Sequence, residues 1–266
     1  MRSAKEERDA IIEHFYEVIY KDYLYGDSFQ SKGIRYFGKS VEKFWSDRSI
    51  NSHLAHSFDR SLIMTVHALH ASSTQDAVQQ VKVHLAAALR MAVLDGFDEG
   101  IDNHFTACVP GRPDQYFVLP FGLHWSEARA SDMMIFNEAG QTIEGRSVVE
   151  LSCQTIHAPL HRITGAKVVL HTHQPWATAL NMLQDNRLLP ATQTAAFFHG
   201  RIAYDDTYTG LASSNDEGER LAALMGDKTV LFMKNHGVVT IGDTVAQAYR
   251  RLYKLEKACQ TQVLAM

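Results

Sequence analysis

The sequence predicts an α/β protein in which one large domain is built around a mainly antiparallel sheet. Three observations support this. A long amphipathic helical segment begins near residue 77, several short β-forming segments bounded by turn residues follow it, and two later apolar runs carry histidines. A chain of 266 residues with 45% hydrophobic content is long enough to bury a substantial core.

The main domain is predicted to begin with a core helix. The run AVQQVKVHLAAALRMAVL, from Ala77 to Leu94, places apolar side chains along one face and is closed by Gly96. The preceding SSTQD offers a helix N-cap, so we place the domain at 76–266. Residues 1–75 are rich in aromatics, and apolar residues recur at helical spacing between Glu7 and Tyr20. We expect an N-terminal extension that packs on the main domain or on a neighbouring subunit.

The segments after the first helix predict the sheet. NHFTACVPG, QYFVLPFG and SDMMIFNEAGQTI have the composition of consecutive strands, and the NEAG turn favours an antiparallel pair. Residues 154–164 predict a helix that leads into a strand, AKVVLHTH, and WATALNMLQ predicts the next helix. KTVLFMKNHGVV predicts a further strand, and a GDT capping signal precedes a final helix over 243–265.

Three histidines in the two apolar runs form a candidate metal site. His171 and His173 are two residues apart on a predicted strand, so their side chains share one face, with backbones about 7 Å apart. His236 stands beside Gly237 in the similar run KTVLFMKNHGVV. Each histidine alone is weak support, since the chain has 14. Together, three imidazoles would leave at least one coordination position open for water or substrate, as catalytic metal sites do.

Composition excludes several classes of partner. The net charge is −4, charged residues make up 21% of the chain, and there is no polybasic run, so nucleic acid and membrane surfaces have no electrostatic support. Three cysteines without a CxxC pair argue against a disulfide framework and a zinc knuckle. The charged N-terminus and the absence of an apolar stretch of about 18 residues predict a cytoplasmic protein. A small-molecule substrate is the expectation that remains.

Two stretches resemble the hallmark segments of the class II aldolase/adducin family. They are LHTHQPWATALNML and MKNHGVVTIGDTVAQAYRRLYKLEKACQTQV, the second being similar to the adducin-like bacterial branch. NHFTACVPG, the Pro120-Phe121-Gly122 turn and the NEAG turn follow the family's order, so the resemblance covers about 77–266. It implies a three-layer α/β/α fold with a mostly antiparallel central sheet, assembled as a homotetramer with sites between neighbours.

The resemblance also implies a divalent metal bound by His171, His173 and His236, most often zinc, with iron, manganese and cobalt as alternatives. A cation chelated by adjacent substrate oxygens acts as a Lewis acid and stabilises an enolate. This chemistry favours a lyase that performs aldol cleavage or decarboxylation on a small hydroxy- or keto-acid. Two alternatives stay open: a nonheme iron oxygenase acting on a keto-acid, and a non-catalytic adducin-like oligomeric scaffold. The presence of all three histidines favours an enzyme.

The chain departs from the aldolase pattern at the proton-transfer groups. Cys153 stands where the resemblance implies a catalytic glutamate, and Glu150 lies three residues earlier, so both are candidates and the catalytic residue stays unassigned. A tyrosine donor has no counterpart in LLPATQTAAFF. Phosphate-binding positions are only partly kept, which favours a carboxylate or an unphosphorylated keto substrate. Candidate substrate-binding residues are four turn or strand positions and two histidines on one helix face, namely Asn103, His104, Thr106, Gly122, His157 and His161.

Overall fold

The computed structural model describes residues 73–145, 147–208, 210 and 215–266. The helix expected over 7–20, and almost all of the predicted extension, lie outside these residues, so that part of the domain division stays a prediction. In chain order the described elements are α1 (Thr74–Asp95), β1 (His104–Val109), β2 (Arg112–Val118), β3 (Met134–Asn137), β4 (Thr142–Glu144), α2 (Leu151–Thr164), β5 (Val168–Thr172), α3 (Pro175–Asn181), α4 (Gln193–Ala196), β6 (Ile202–Asp205), α5 (Asn215–Met225), β7 (Val230–Met233), β8 (Val238–Gly242) and α6 (Val245–Ala265).

The described strands form one eight-stranded sheet in the order β4-β3-β2-β1-β5-β8-β7-β6. Neighbouring strands are antiparallel except for the parallel pair β6 and β7. The prediction of a mainly antiparallel sheet is therefore confirmed. β1 and β5 lie side by side at its centre, and His104 of β1 pairs directly with His171 of β5. This register brings two of the sequence's candidate residues together on adjacent strands.

Helices cover both faces of the sheet, which confirms the three-layer α/β/α architecture. On one face α1 and α6 pack on β1 and β5, and fully buried Leu89, Phe105 and Leu252 belong to the same cluster. On the other face α2 and α5 pack together over the sheet, burying Leu160 and Leu221. The apolar stripes predicted from helical spacing are what these helices bury.

Local capping sets the helix ends. The side chain of Ser73 accepts a hydrogen bond from the amide of Asp76 at the start of α1, and Gly96, at φ 73°, ends the helix in the left-handed conformation that glycine favours. Thr244 caps α6 in the same way as Ser73. The predicted first and last helices are confirmed, and α2 begins three residues before the expected position.

The strand predicted for KTVLFMKNHGVV is wrong in one respect, because His236 does not lie on a strand. β7 ends at Met233, β8 begins at Val238, and His236 lies in the tight turn between them. Asn235 adopts a positive φ of 54°, and the amide of His236 donates to the Met233 carbonyl at 3.0 Å. Apolar runs on both sides conceal this turn in the sequence. None of the described helices is long and apolar enough to cross a membrane.

Candidate metal centre

His171, His173 and His236 meet at the end of the central strands. His171 is the penultimate residue of β5, His173 follows the strand, and the β7–β8 turn brings His236 alongside. Ring centroids are 4.9 Å apart for His171 with His173 and with His236, and 4.7 Å for His173 with His236. One ring nitrogen from each histidine lies within 4.8 Å of the others. The predicted set is therefore brought together in one cluster.

Hydrogen bonds on the far side of two rings fix which nitrogen faces the cluster. His171 Nδ1 lies 3.0 Å from the Val238 carbonyl, which can only accept, so Nδ1 carries the proton and Nε2 a lone pair. His173 Nδ1 donates to the carboxylate of Glu99 in the same manner. The two Nε2 atoms lie 3.1 Å apart, close enough for one cation to bind both. The donor set fits a divalent ion.

Burial favours the neutral form of His171 and His236, the form that metal ligation requires. Desolvation of the buried His171, followed by the neighbouring histidines, lowers its pKa well below its usual value. Desolvation and His173 lower the pKa of His236 to about 4. His173 is partly exposed, with 24% of its side chain accessible, so the cluster is open to solvent on that side.

The turn that carries His236 is held by α3 and by a glycine. The side-chain amide of Asn181, at the end of α3, donates to the carbonyls of Met233 and Gly237. A Cβ on Gly237 would lie 2.5 Å from the Thr172 carbonyl oxygen and 2.7 Å from Cδ2 of His173. Only glycine therefore lets β8 approach the histidines this closely.

Glu256 of α6 anchors the segment after His173. Its buried carboxylate accepts hydrogen bonds of 2.9 Å from the amides of Trp176 and Ala177, in the first turn of α3. Desolvation raises its pKa, and those two amide bonds oppose the rise. A carboxylate at a helix N-terminus satisfies amides that have no partner within the helix. The final helix thus fixes the direction in which the chain leaves the triad.

His104 lies beside His171 in the sheet, and Asn103 and Glu150 line the same small cavity as His104. Asn103 is buried with a φ of 75°, and neither polar atom of its amide has a hydrogen-bond partner within the described chain. His104 Nε2 lies 3.3 Å from a carboxylate oxygen of Glu150, without hydrogen-bond geometry. Desolvation lowers the pKa of His104 to about 4. Burial alone would raise the pKa of Glu150, but hydrogen bonds from Ser152 and Cys153 and the charge of His104 lower it.

The other candidates fall in different surroundings. Thr106 lies on β1 with its hydroxyl 2.8 Å from His157 Nδ1 and 2.8 Å from His161 Nε2, so the three form one buried unit. Gly122, at φ 89°, lies in an exposed turn. Cys153 packs fully buried in an apolar cluster, where desolvation holds the pKa of its thiol well above the usual value, which disfavours a role in proton transfer.

Sequence reasoning missed the groups that orient the triad. Glu99 lies 74 residues before His173 in the chain, and the Val238 carbonyl depends only on strand register. Neither carries a sequence signal by itself. Asn181 and Glu256 face the site because of helix packing, which residue spacing alone does not reveal.

The fold and the cluster define an α/β protein with a candidate divalent-metal centre, and comparisons with known proteins place it in a family. The Class II Aldolase and Adducin N-terminal domain family matches residues 83–263. The chain belongs to this family.

Among its relatives, Decarboxylase NovR of Streptomyces niveus is 31% identical over 189 residues, which cover 70% of this chain and 69% of NovR. An aldolase II superfamily protein from Pseudomonas syringae has a similar structure, with a TM-score of 0.68, 36% identity and coverage of 71% and 76% of the two chains. L-fuculose 1-phosphate aldolase from Glaciozyma antarctica PI12 has a TM-score of 0.67 at 27% identity, with coverage of 73% and 76%.

Proposed function

We propose that this protein is a divalent-metal-dependent lyase that cleaves a carbon–carbon bond of a small hydroxy- or keto-acid by aldol cleavage or decarboxylation. The observation that carries the proposal is the convergence of three imidazoles, two of them oriented by hydrogen bonds to the Val238 carbonyl and the Glu99 carboxylate. Similarity to proteins named as a decarboxylase and as a sugar-phosphate aldolase supports the reaction class. Zinc is the metal we expect, with iron, manganese and cobalt as the alternatives.

A divalent ion at this site would supply Lewis-acid chemistry, withdrawing charge from chelating substrate oxygens. The chain's own residues would do the rest. His171, His173 and His236 present ligand nitrogens, and Asn103 and His104 offer polar atoms that make no hydrogen bond within the described chain. These two residues, with Thr106, Gly122, His157 and His161, are the proposed substrate-binding set, in which the buried Thr106 and His161 would act through His157.

For proton transfer we favour Glu150 over Cys153. The Glu150 carboxylate is partly exposed, lies 3.3 Å from His104 Nε2 and is held by the Cys153 amide at 3.1 Å. A carboxylate that is fixed and accessible meets the geometric requirement for an acid or base. We further propose that the protein works as a homotetramer, as its family resemblance implies, and that it works in the cytoplasm.

Metal analysis tests the proposal. Mass spectrometry on purified wild type, a His171→Ala/His173→Ala variant and a His199→Ala control would measure bound metal per chain. His199 is exposed, so its loss removes a histidine without touching the cluster. We expect near-stoichiometric zinc, manganese or cobalt in wild type and control, and loss in the double variant. Bound iron would instead favour the oxygenase alternative. If no metal is bound even after reconstitution, the non-catalytic scaffold is the interpretation that remains.

Activity is then measured with the metal-loaded protein. A panel of small hydroxy- and keto-acids is incubated with wild type and the double variant, and aldehyde and carbon dioxide release are followed. We expect release by wild type alone. Oxygen consumption in the same samples separates a lyase, which needs none, from an oxygenase.

A further inference from the structure

A buried chain of hydrogen bonds behind the triad begins at His161. Its Nδ1 lies 2.7 Å from the carbonyl oxygen of Ala166. A carbonyl only accepts, so His161 Nδ1 carries the proton. Burial lowers the pKa of His161 to about 4, so the ring is neutral at pH 7 and its Nε2 carries a lone pair.

The hydroxyl of Thr106 links the proton position on His161 to the proton position on His157. Its hydroxyl oxygen is 2.8 Å from His161 Nε2 and 2.8 Å from His157 Nδ1, and 3.3 Å from the Val169 carbonyl. The hydroxyl has one proton, and the lone pair of His161 Nε2 requires it. The oxygen must then accept from His157 Nδ1, because two lone pairs would otherwise face each other at 2.8 Å. His157 is neutral with its proton on Nδ1, and its Nε2 is an acceptor.

His157 lies next to the histidine cluster, and ring geometry directs its Nε2 away from Thr106. Thr106 and His104 are two residues apart on β1 and share one face of the sheet, and His104 pairs with His171. Since Nδ1 of His157 points at Thr106, Nε2 lies on the side of the ring away from Thr106. The rings of His104 and His171 approach it edge-on, with centroids 5.8 and 6.5 Å away. His157 is 1% exposed, and its Nε2 has no hydrogen-bond partner among the described residues.

We infer that His157 Nε2 accepts a hydrogen bond from a hydroxyl group of the substrate, with Thr106 and His161 as the positioning residues that hold it in this tautomer. The inference rests on the proposed function and narrows the substrate class to hydroxy-acids or hydroxy-ketones whose hydroxyl proton is retained on binding. A substrate without a donor at this point would leave a buried acceptor unpaired. A site whose buried polar group needs a hydrogen bond from the substrate rejects analogues without that donor more strongly than an apolar pocket rejects a misfit.

The tautomers are measured directly. Nitrogen-15 NMR of imidazole-labelled, metal-free protein at pH 7 reports which ring nitrogen carries the proton. We expect Nδ1–H and unprotonated Nε2 for both His157 and His161, with the pattern kept in Thr106→Ser and changed for His157 in Thr106→Val. A proton on His157 Nε2 in wild type would overturn the inference without reference to activity or metal.

Binding is measured with a matched pair of probes, glycolate and methoxyacetate, which share a carboxylate and an α oxygen but differ in the O–H. Calorimetry on zinc-loaded wild type should give about tenfold tighter binding of glycolate, the size of one hydrogen bond to an otherwise unpaired acceptor. The ratio should persist in Thr106→Ser and fall towards one in Thr106→Val and His157→Phe.

The zinc content of each variant distinguishes failure of the proposed function from failure of the inference about His157. If wild type binds no metal, the proposed function fails. If every variant holds zinc and the probe ratio is the same in wild type and Thr106→Val, the metal centre stands and the role of His157 is refuted.

Discussion

Gly237 offers the sharpest test of how the candidate centre is built. In Gly237→Ala the added methyl group would lie 2.5 Å from the Thr172 carbonyl oxygen, 2.7 Å from His173 Cδ2 and 3.1 Å from His171 Cε1. The nearest atom is backbone of the central strand, so relief requires β5 and β8 to separate or the rings to turn. Overpacking of this kind costs about 1–3 kcal/mol, which lowers the melting temperature by about 3 °C per kcal/mol in a domain of this size.

The same displacement should act on metal binding, since two of the three contacts are to ligand rings. We expect zinc affinity, measured by competition with a chromophoric chelator, to fall tenfold or more, as when ligand orientation is lost. Gly242→Ala is the matched control. Gly242 ends β8, the strand that begins directly after Gly237, and its Cβ would meet Ala248 and Gln247 at 2.9 and 3.0 Å, away from the histidines. Unchanged zinc affinity in Gly237→Ala, or an equal loss in Gly242→Ala, would refute this reasoning.

Three further predictions concern the groups behind the triad. Glu99→Gln should weaken zinc binding about tenfold by the same chelator competition, because the amide orients His173 less firmly than the carboxylate; equal affinity would show that Glu99 is dispensable. Glu256→Ala should lower the free energy of unfolding by about 1–3 kcal/mol, since two amides lose their acceptor, and Glu256→Gln, which keeps an acceptor oxygen, should lose less in urea titrations. Metal-free protein should lose stability as pH falls from about 6.5 towards 4, because His161 has a pKa of about 4 when folded and an ordinary one when unfolded, giving about 2 kcal/mol at pH 5. The stability difference between pH 7 and pH 5 should shrink in His161→Gln, and the same difference as in wild type would contradict the assignment.

Much of the fold follows from local patterns. The stripe over 77–94, the Gly96 cap and the NEAG turn each act within a few residues, so their physics is visible in the sequence. The region over 183–228 carries weaker signals. α4 has four residues and β6 has four, and both are held by packing on α6 and on β7 rather than by their own periodicity. Elements of this kind cannot be predicted from spacing alone.

The residues of the candidate site show the same difference between features set by local sequence and features set by distant contacts. His171 and His173 could be predicted from the sequence because strand alternation places them on one face. His236 could be predicted because of the family resemblance. The turn that presents His236 was concealed, since Asn235 and Gly237 interrupt what otherwise has the composition of one apolar strand. The proton positions on the rings depend on carbonyls and carboxylates contributed by distant parts of the chain, so they become visible only in three dimensions.

The distribution of unpaired polar atoms bears on the choice between an enzyme and a scaffold. Four buried polar atoms on β1, on α2 and just before β1 make no hydrogen bond within the described chain: both polar atoms of the Asn103 amide, His157 Nε2, and His104 Nε2, which has the Glu150 carboxylate at 3.3 Å. Each costs about 1–3 kcal/mol when left unpaired, a large share of the roughly 5–15 kcal/mol that stabilises a typical domain. A scaffold would be more stable with apolar side chains at these positions. Their concentration next to three convergent imidazoles is what a site needs if it is completed by a polar ligand, and it is the reason we favour catalysis over a purely structural role.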